Sequence, residues 1–356
     1  MMKRIIQTLK AYPLTVLFVL WSLVQFLLFF RYGFVTDFEG LKYQNDAHLL
    51  MEQFLINPQR VFYASYSIVV ALLLEIGIGY YAVLIFQLIV NAWASYLFFT
   101  LLAKLLNSNV ALITTAFLIV NVQLQMWNFH LFTEALFISA IIIYMYVVFT
   151  FDYKVLDYIK LFLLLIFLSY LRPIGISLAI PAVFFFGVKM QKEWRVNILV
   201  VMLLIAAVII QFFIMLALRD NFSEFYSVAT KKVWIIGAYN TVDDYRQLSF
   251  LPDFLKAIFL RFVYYFSMLR PYYSLSHNLS EVLFYPVYAL SLYGVFGLYK
   301  NSPSRFFFII VTIGIFSVFT ILSHVNYHGR YISPILPMFL FIAAFGIENF
   351  RTRSIG

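Results

Sequence analysis

Cysteine is absent from the 356-residue chain, which removes disulfides, thiolate metal sites and thiol catalysis together. Charge is scarce too, at 12% of residues against 64% AVILMFWYC. At a mean hydropathy of +0.91 such a chain cannot clothe itself in a water-soluble surface, so a cytosolic enzyme, a nucleic-acid binder and a disordered tail are excluded. No P-loop, GxGxxG, HExxH, GxSxG or Cys/His cluster occurs, and nucleotide hydrolysis and zinc proteolysis therefore have no visible equipment. A porin-type barrel would alternate apolar and polar residues, whereas Ile198 to Phe213 is apolar all round. An all-α integral membrane protein is what remains.

A spanning helix takes about 20 mainly apolar residues. Apolar runs of about that length fall at 12–31, 80–104, 109–126, 132–151, 157–170, 173–190, 196–218, 281–299, 305–323 and 331–348. They predict a polytopic bundle of about ten transmembrane helices forming a single domain over residues 1–356, with no soluble domain. Lys3, Arg4 and Lys10 before the first run resemble a signal peptide, but bulky Leu28, Phe29, Phe30 and Arg31 stand where cleavage needs small residues; the run is expected to stay as a span. The fifth and sixth runs are separated only by Arg172-Pro173, and a proline in a first helical turn allows either a hairpin or a kink there.

With the N-terminus inside, the cytoplasmic segments take thirteen of the 25 basic residues and four of the 16 acidic ones, leaving twelve of each outside. The whole net charge of +9 thus falls on one side, and the positive-inside rule predicts a multi-pass protein of the cell inner (plasma) membrane with both termini cytoplasmic. The long outer loops are then 32–79 and 219–280. His48, His130, His277, His324 and His328 all fall at or near that outer face, so chemistry is expected there. In the first outer loop Ala47, Leu50, Met51, Phe54 and Leu55 repeat at helical spacing and predict an amphipathic surface helix, with a second, outer-leaflet helix over Val61 to Ile76.

Thr36-Asp37-Phe38-Glu39 sets two carboxylates at the outer interface, where a general base could accept a proton from a sugar or lipid hydroxyl. Thr-x-x-Glu is also a capping box, so Glu39 reads first as a cap. Asp37, costly to keep beside hydrocarbon, reads first as the base. Asp46 is placed on the solvated side of the amphipathic helix. Glu134 opens the fourth span in Thr133-Glu134-Ala135-Leu136-Phe137, either as a routine helix start after a Thr cap or as a functional carboxylate. Arg172 is the lone charge between Lys160 and Lys189 and either snorkels to headgroups or binds a lipid phosphate. His324, His328, Arg330 and Tyr331 crowd the approach to the last span, a composition suited to phosphate contact. The two histidines lack a nearby third ligand for a metal. Arg261 and Arg270 are expected to anchor the aromatic stretch between them.

Taken in order, these features resemble the membrane-integral glycosyltransferases of the GT-C superfamily, the fold class of the protein O-mannosyltransferases and the bacterial lipid A aminoarabinose transferases. The resemblance rests on Asp37 or Glu39 after the first span, Tyr43 and Ala47 on the loop helix, Thr133 to Phe137, Arg172-Pro173-Ile174-Gly175, and Arg330-Tyr331-Ile332-Ser333-Pro334-Ile335-Leu336-Pro337. It runs through almost the whole chain. Two features depart from the pattern: Asp-Phe-Glu stands where many relatives have contiguous Asp-Glu, which leaves either carboxylate as the base, and the C-terminal soluble domain of several relatives is missing, which leaves the acceptor open.

The resemblance implies a polyprenyl-phosphate-linked sugar as donor and an acceptor hydroxyl of a glycan, lipid or protein on the outer (periplasmic or extracellular) face. Asp37 or Glu39 would be catalytic, with inversion at the anomeric carbon, and Glu134, Arg172, His324, His328, Arg330 and Tyr331 would bind substrate. No cofactor is required, since lipid phosphate is a workable leaving group, though a carboxylate-bound divalent metal is compatible with the scheme. Membrane lipids are the other expected partners. A flippase for lipid-linked saccharides, or a polysaccharide polymerase or ligase, would share the basic outer pocket.

Overall fold

The computed structural model describes residues 12–189, 274–323 and 329–353, with scattered positions between 198 and 269. Its long helices are α1 (Pro13–Tyr32), α2 (Glu39–Gln53), α3 (Ala64–Leu74), α4 (Tyr81–Leu105), α5 (Ser108–Val120), α6 (Thr133–Phe149), α7 (Val155–Leu171), α8 (Pro173–Lys189), α9 (Leu275–Val282), α10 (Tyr285–Asn301), α11 (Pro303–Ser323) and α12 (Leu336–Arg353). Among the described residues there is no strand, only an isolated parallel bridge between Val35 and His130. By composition and helix length the chain is a helical membrane protein.

Four described helices are long and apolar enough to cross a membrane (α1, α4, α11 and α12), or five if α5 and its bent continuation count as one. This is fewer than the expected ten, and the reason is length. The helices α6, α7 and α10 have 17 residues each, at the lower edge of the spanning range. The run 109–126 is not one rod, because Asn121 leaves the helical region (ψ 106°) and its side chain accepts from the Leu124 amide at 3.0 Å, starting a new helix bent by 61°. The run 196–218 and most of loop 219–280, with Arg261 and Arg270, lie outside the described residues.

Side-chain contacts define two ends of the bundle. At one end Phe149, closing α6, stacks with Phe185 of α8 and meets Phe308 of α11, while Phe151 meets Tyr158 of α7 and Phe186 of α8. Since α7 starts where α8 finishes, the chain reverses at Arg172-Pro173 as a hairpin. Gly175 makes the reversal tight: a Cβ there would overlap the Leu168 carbonyl. Lys104, Arg305 and Glu348 also lie at this end, contacting Tyr146, the Phe149 carbonyl and the Asn107 amide. The opposite end carries the segment after α1, α2, the Asn121 bend, the start of α6, Arg172 and the start of α12.

Helix α6 is the axis of the bundle, buried over nearly its whole circumference from Thr133 to Met145. Helices α10 and α12 also pack closely: a Cβ on Gly294 would overlap the Ile342 carbonyl and one on Gly346 the Leu290 carbonyl. Small residues at such crossings let backbones approach where lipid offers no hydrophobic drive. In the surface helix α2 the expected stripe is half realised. Ala47 is buried and Leu50 and Met51 pack on the core, but the helix ends at Gln53 and Phe54 turns into the left-handed region, leaving it and Leu55 exposed.

Gly294→Ala should lower the melting temperature in detergent, with a cost of about 1–3 kcal/mol for forced overpacking. Gly187→Ala, where a Cβ meets nothing within 4 Å, should leave it unchanged; equal effects would show that the α10–α12 approach is not tight.

Candidate functional site

The segment after α1 is fastened to the segment before α6: the Val35 amide donates to the Phe129 carbonyl and the Leu131 amide to the Val35 carbonyl, each at 2.8 Å. That splice brings the first turns of α2 and α6 together. A polar cluster holds the bend beneath it. Gln25 donates to Gln125 at 2.8 Å, Asn128 donates to both glutamines at 3.2 Å, and Gln87 receives the Tyr66 hydroxyl while donating to the Asn128 and His130 carbonyls. From the far side, Trp127 donates to Ser333, which donates to the Gln123 carbonyl; this ties the start of α12 to the same bend.

Glu134 sits at the centre, with no solvent exposure. One of its carboxylate oxygens receives both an Arg172 Nη and the Arg330 Nε, and the Thr133 hydroxyl donates to the other at 3.4 Å. A second Arg330 nitrogen pairs with Glu39, and Lys42 lies 3.4 Å from the same Glu39 oxygen. The two guanidinium side chains are only 11% and 14% exposed, each over an aromatic ring: Arg172 over Phe137 at 5.6 Å and Arg330 over Phe132 at 5.4 Å. Lys42 lies over Tyr43 and Tyr63, 4.8 and 5.0 Å from their ring centres. Three cations thus surround two carboxylates, and the cluster carries a net positive charge in a largely desolvated place.

Burial by itself would raise the Glu39 carboxyl, but the Arg330 guanidinium outweighs it and leaves Glu39 below the usual carboxylate range. Burial pulls the Lys42 ammonium down by more than Glu39 holds it up. Each guanidinium has five N–H donors; the described contacts occupy one Arg172 nitrogen and two on Arg330, so donors remain for a further anion. The buried Tyr43 hydroxyl has no hydrogen-bond partner among the described residues. A cavity of about 40 Å³ adjoins Arg172, walled by Phe137, Ile174, Phe316 and Tyr331.

Several expectations change here. The capping box at Thr36 does not form, because α2 begins at Glu39 after Phe38 in a non-helical conformation with no side-chain cap; Glu39 serves the ion-pair cluster instead. Thr133 is not a cap but the first helical residue. Asp46 is buried rather than solvated, 3.0 Å from Arg60 and 3.3 Å from Asn57, because α3 packs over that face of α2. Asp37 is exposed in the turn before α2, with its carbonyl receiving the Gly40 amide, and its carboxylate has no ion-pair partner among the described residues. Tyr331 lies beside Arg330, 5.9 Å from ring centre to guanidinium. His324 and His328 lie outside the described residues. His48 contacts Tyr80, and His130 packs among Trp127, Phe132 and Tyr32; neither joins the ion pairs.

Sequence reasoning missed Lys42 and Tyr63. Lys42 had a signal, standing three residues after Glu39 on one helical face, whereas Tyr63 had none. Among the described residues no group of three or more His, Asp or Glu is gathered as a metal site. The fold and cluster define a helical membrane protein with a buried, net-cationic site at one end of its bundle. No protein-family model matches the chain, and no curated protein is significantly similar to it.

Glu134→Gln would leave two nearly buried guanidinium groups facing a neutral amide, and loss of one partner from a buried pair typically costs about 3–5 kcal/mol. Detergent-solubilised protein should lose stability on that scale. A loss under about 1 kcal/mol, the value of an exposed pair, would mean that water reaches the cluster freely.

Proposed function

We propose that this chain is a glycosyltransferase that moves a sugar from a polyprenyl-phosphate donor to an acceptor hydroxyl at the outer face of the membrane. The observation that carries the reading is the convergence of Glu39, Glu134, Arg172 and Arg330, four residues from separate parts of the chain, into one ion-pair cluster that Lys42 makes net-cationic. All four are among the positions on which the resemblance to the GT-C superfamily rests. An ion-pair cluster of this kind is a poor device for stability, since well-packed apolar residues do as well or better, and its presence favours a functional role.

In this reading Arg172 and Arg330 clamp the donor phosphate with their remaining donors and stabilise the charge that develops on it as the glycosidic bond breaks. Glu134 holds the two planar forks in register, and Glu39 steadies Arg330 and Lys42 from the water side. A carboxylate pressed against a guanidinium is a weak base, so Glu39 is the less suited of the two candidates. Asp37, exposed two residues earlier, takes the proton of the acceptor hydroxyl as its oxygen attacks the anomeric carbon from the side opposite the phosphate, with inversion. Lys42 and Tyr63, both partly exposed, supply a polar group and ring surface for the sugar.

The ten-span topology with both termini cytoplasmic belongs to the same reading. Lys104, Lys189, Arg305 and Arg351, all assigned inside by charge, gather at the end away from the cluster, as a positive-inside arrangement requires. The cysteine-free chain makes this directly testable. A single cysteine at Gln53 should react with an impermeant thiol reagent in intact cells and one at Asn301 should not; the reverse labelling would invert the topology.

Transfer from synthetic polyprenyl-phosphate sugars, followed by thin-layer separation, tests the chemistry. Asp37→Asn should lower transfer roughly 10²-fold or more while donor binding stays near wild type. Arg330→Lys keeps the charge but loses the planar fork and should weaken donor binding clearly, with folding checked by melting temperature. An active Asp37→Asn beside an inactive Glu39→Gln would move the base to Glu39. Donor binding without transfer, unaffected by either carboxylate, would favour a flippase.

A further inference from the structure

An apolar groove of about 500 Å³, within the roughly 300–1,000 Å³ of small-molecule sites, runs along the outside of the bundle over α6 between α4 and α7. Its walls include Val90 and Trp93 of α4, Ala140 and Ile143 of α6, and Leu163 and Phe167 of α7. Along α6 it extends from Leu136 to Val147; at 1.5 Å per residue that is on the order of 16 Å, about half of a ~30 Å hydrocarbon core. The groove is therefore one leaflet long.

Its two ends differ. Toward the ion-pair cluster it is closed by Phe86, Leu136 and Phe167, and at the opposite end it is lined by Tyr146 and Lys160. Lys104 stands at that same end, its Nζ 3.4 Å from the Tyr146 hydroxyl and 5.4 Å from the ring centre. The nearby acids are committed elsewhere. Asp152 pairs with Lys154, Asp157 accepts from the backbone amides of residues 152 and 154, and Glu348 pairs with Arg351. Among the described residues neither Lys104 nor Lys160 has an ion-pair partner. Two ammonium groups outside any ion pair and a phenol thus sit at the mouth of an apolar trough as long as one acyl chain's leaflet.

We infer that this groove is a binding site for an anionic phospholipid, its acyl chain along α6 and its phosphate between Lys104, Lys160 and Tyr146. Lysines that merely snorkel attract anionic headgroups without fixing a chain, whereas a basic pocket beside an apolar trough between transmembrane helices holds one anionic headgroup together with its chain. The site is at the end of the bundle opposite the ion-pair cluster and does not depend on the glycosyltransferase reading.

Native mass spectrometry of the full chain in detergent, titrated with dioleoyl phosphatidylglycerol or dioleoyl phosphatidylcholine, tests the inference. The wild type should bind one phosphatidylglycerol about tenfold more tightly than phosphatidylcholine. Lys104→Gln combined with Lys160→Gln, both exposed positions, should abolish that preference, and Leu163→Trp, which fills the groove from an exposed residue, should weaken both lipids. A wild type without preference, or a double variant that keeps it, overturns the headgroup site. Unchanged phosphatidylglycerol binding by Leu163→Trp overturns the placement of the chain. So does loss of polyprenyl-phosphate binding alone in that variant, which would make the groove the path of an isoprenoid tail.

Discussion

One fully buried carboxylate organises the polar end of the bundle. Glu134 has no water to solvate it, and a charge so placed must be paired and hydrogen-bonded. Arg172 and Arg330 meet that need at once, which forces the α7–α8 hairpin and the approach to α12 against the first turn of α6. Glu39 then completes Arg330 from the water side, and Lys42 completes Glu39. The order of dependence runs from the buried interior of the bundle outward, so each outer pair is set by the one beneath it.

The surrounding scaffold is built to keep that end fixed. The bend at Asn121, the backbone splice between Val35 and Leu131, and the hydrogen bonds through Gln25, Gln125, Asn128 and Gln87 place polar groups inside an apolar bundle, where each must find a partner. They converge beneath the ion pairs, and Ser333 joins the last helix to them. The opposite end is held differently, by aromatic packing around Phe149, Phe151, Phe185 and Phe308. A bundle with one polar, over-determined end and one aromatic end can hold a charged site without loosening the rest.

That arrangement also separates two kinds of cationic setting. At the cluster end the cations are enclosed, with aromatic rings over them and carboxylates between, a setting that selects shape as well as charge. At the other end Lys104 and Lys160 are exposed beside an open trough, a setting that selects charge and chain.

The chain's membrane class, its helical nature and most helix positions were legible in the sequence, because apolar runs and their polar interruptions report directly where a backbone can lie in lipid. Glu134 and Arg172 were legible because a lone charge among apolar runs announces itself, and Arg330 because it stands with His324, His328 and Tyr331 before the last run. Their partnership was not, since the positions are separated by 38 to 196 residues and only the folded hairpin brings them to one oxygen. The sequence assigned Glu39 to a cap and Asp46 to water by local rules that hold for an isolated helix. Packing overrode both: α3 covers Asp46, and Arg330, arriving from the end of the chain, recruits Glu39. Local spacing determines what a helix can do alone, and the tertiary structure decides which charges it must answer to.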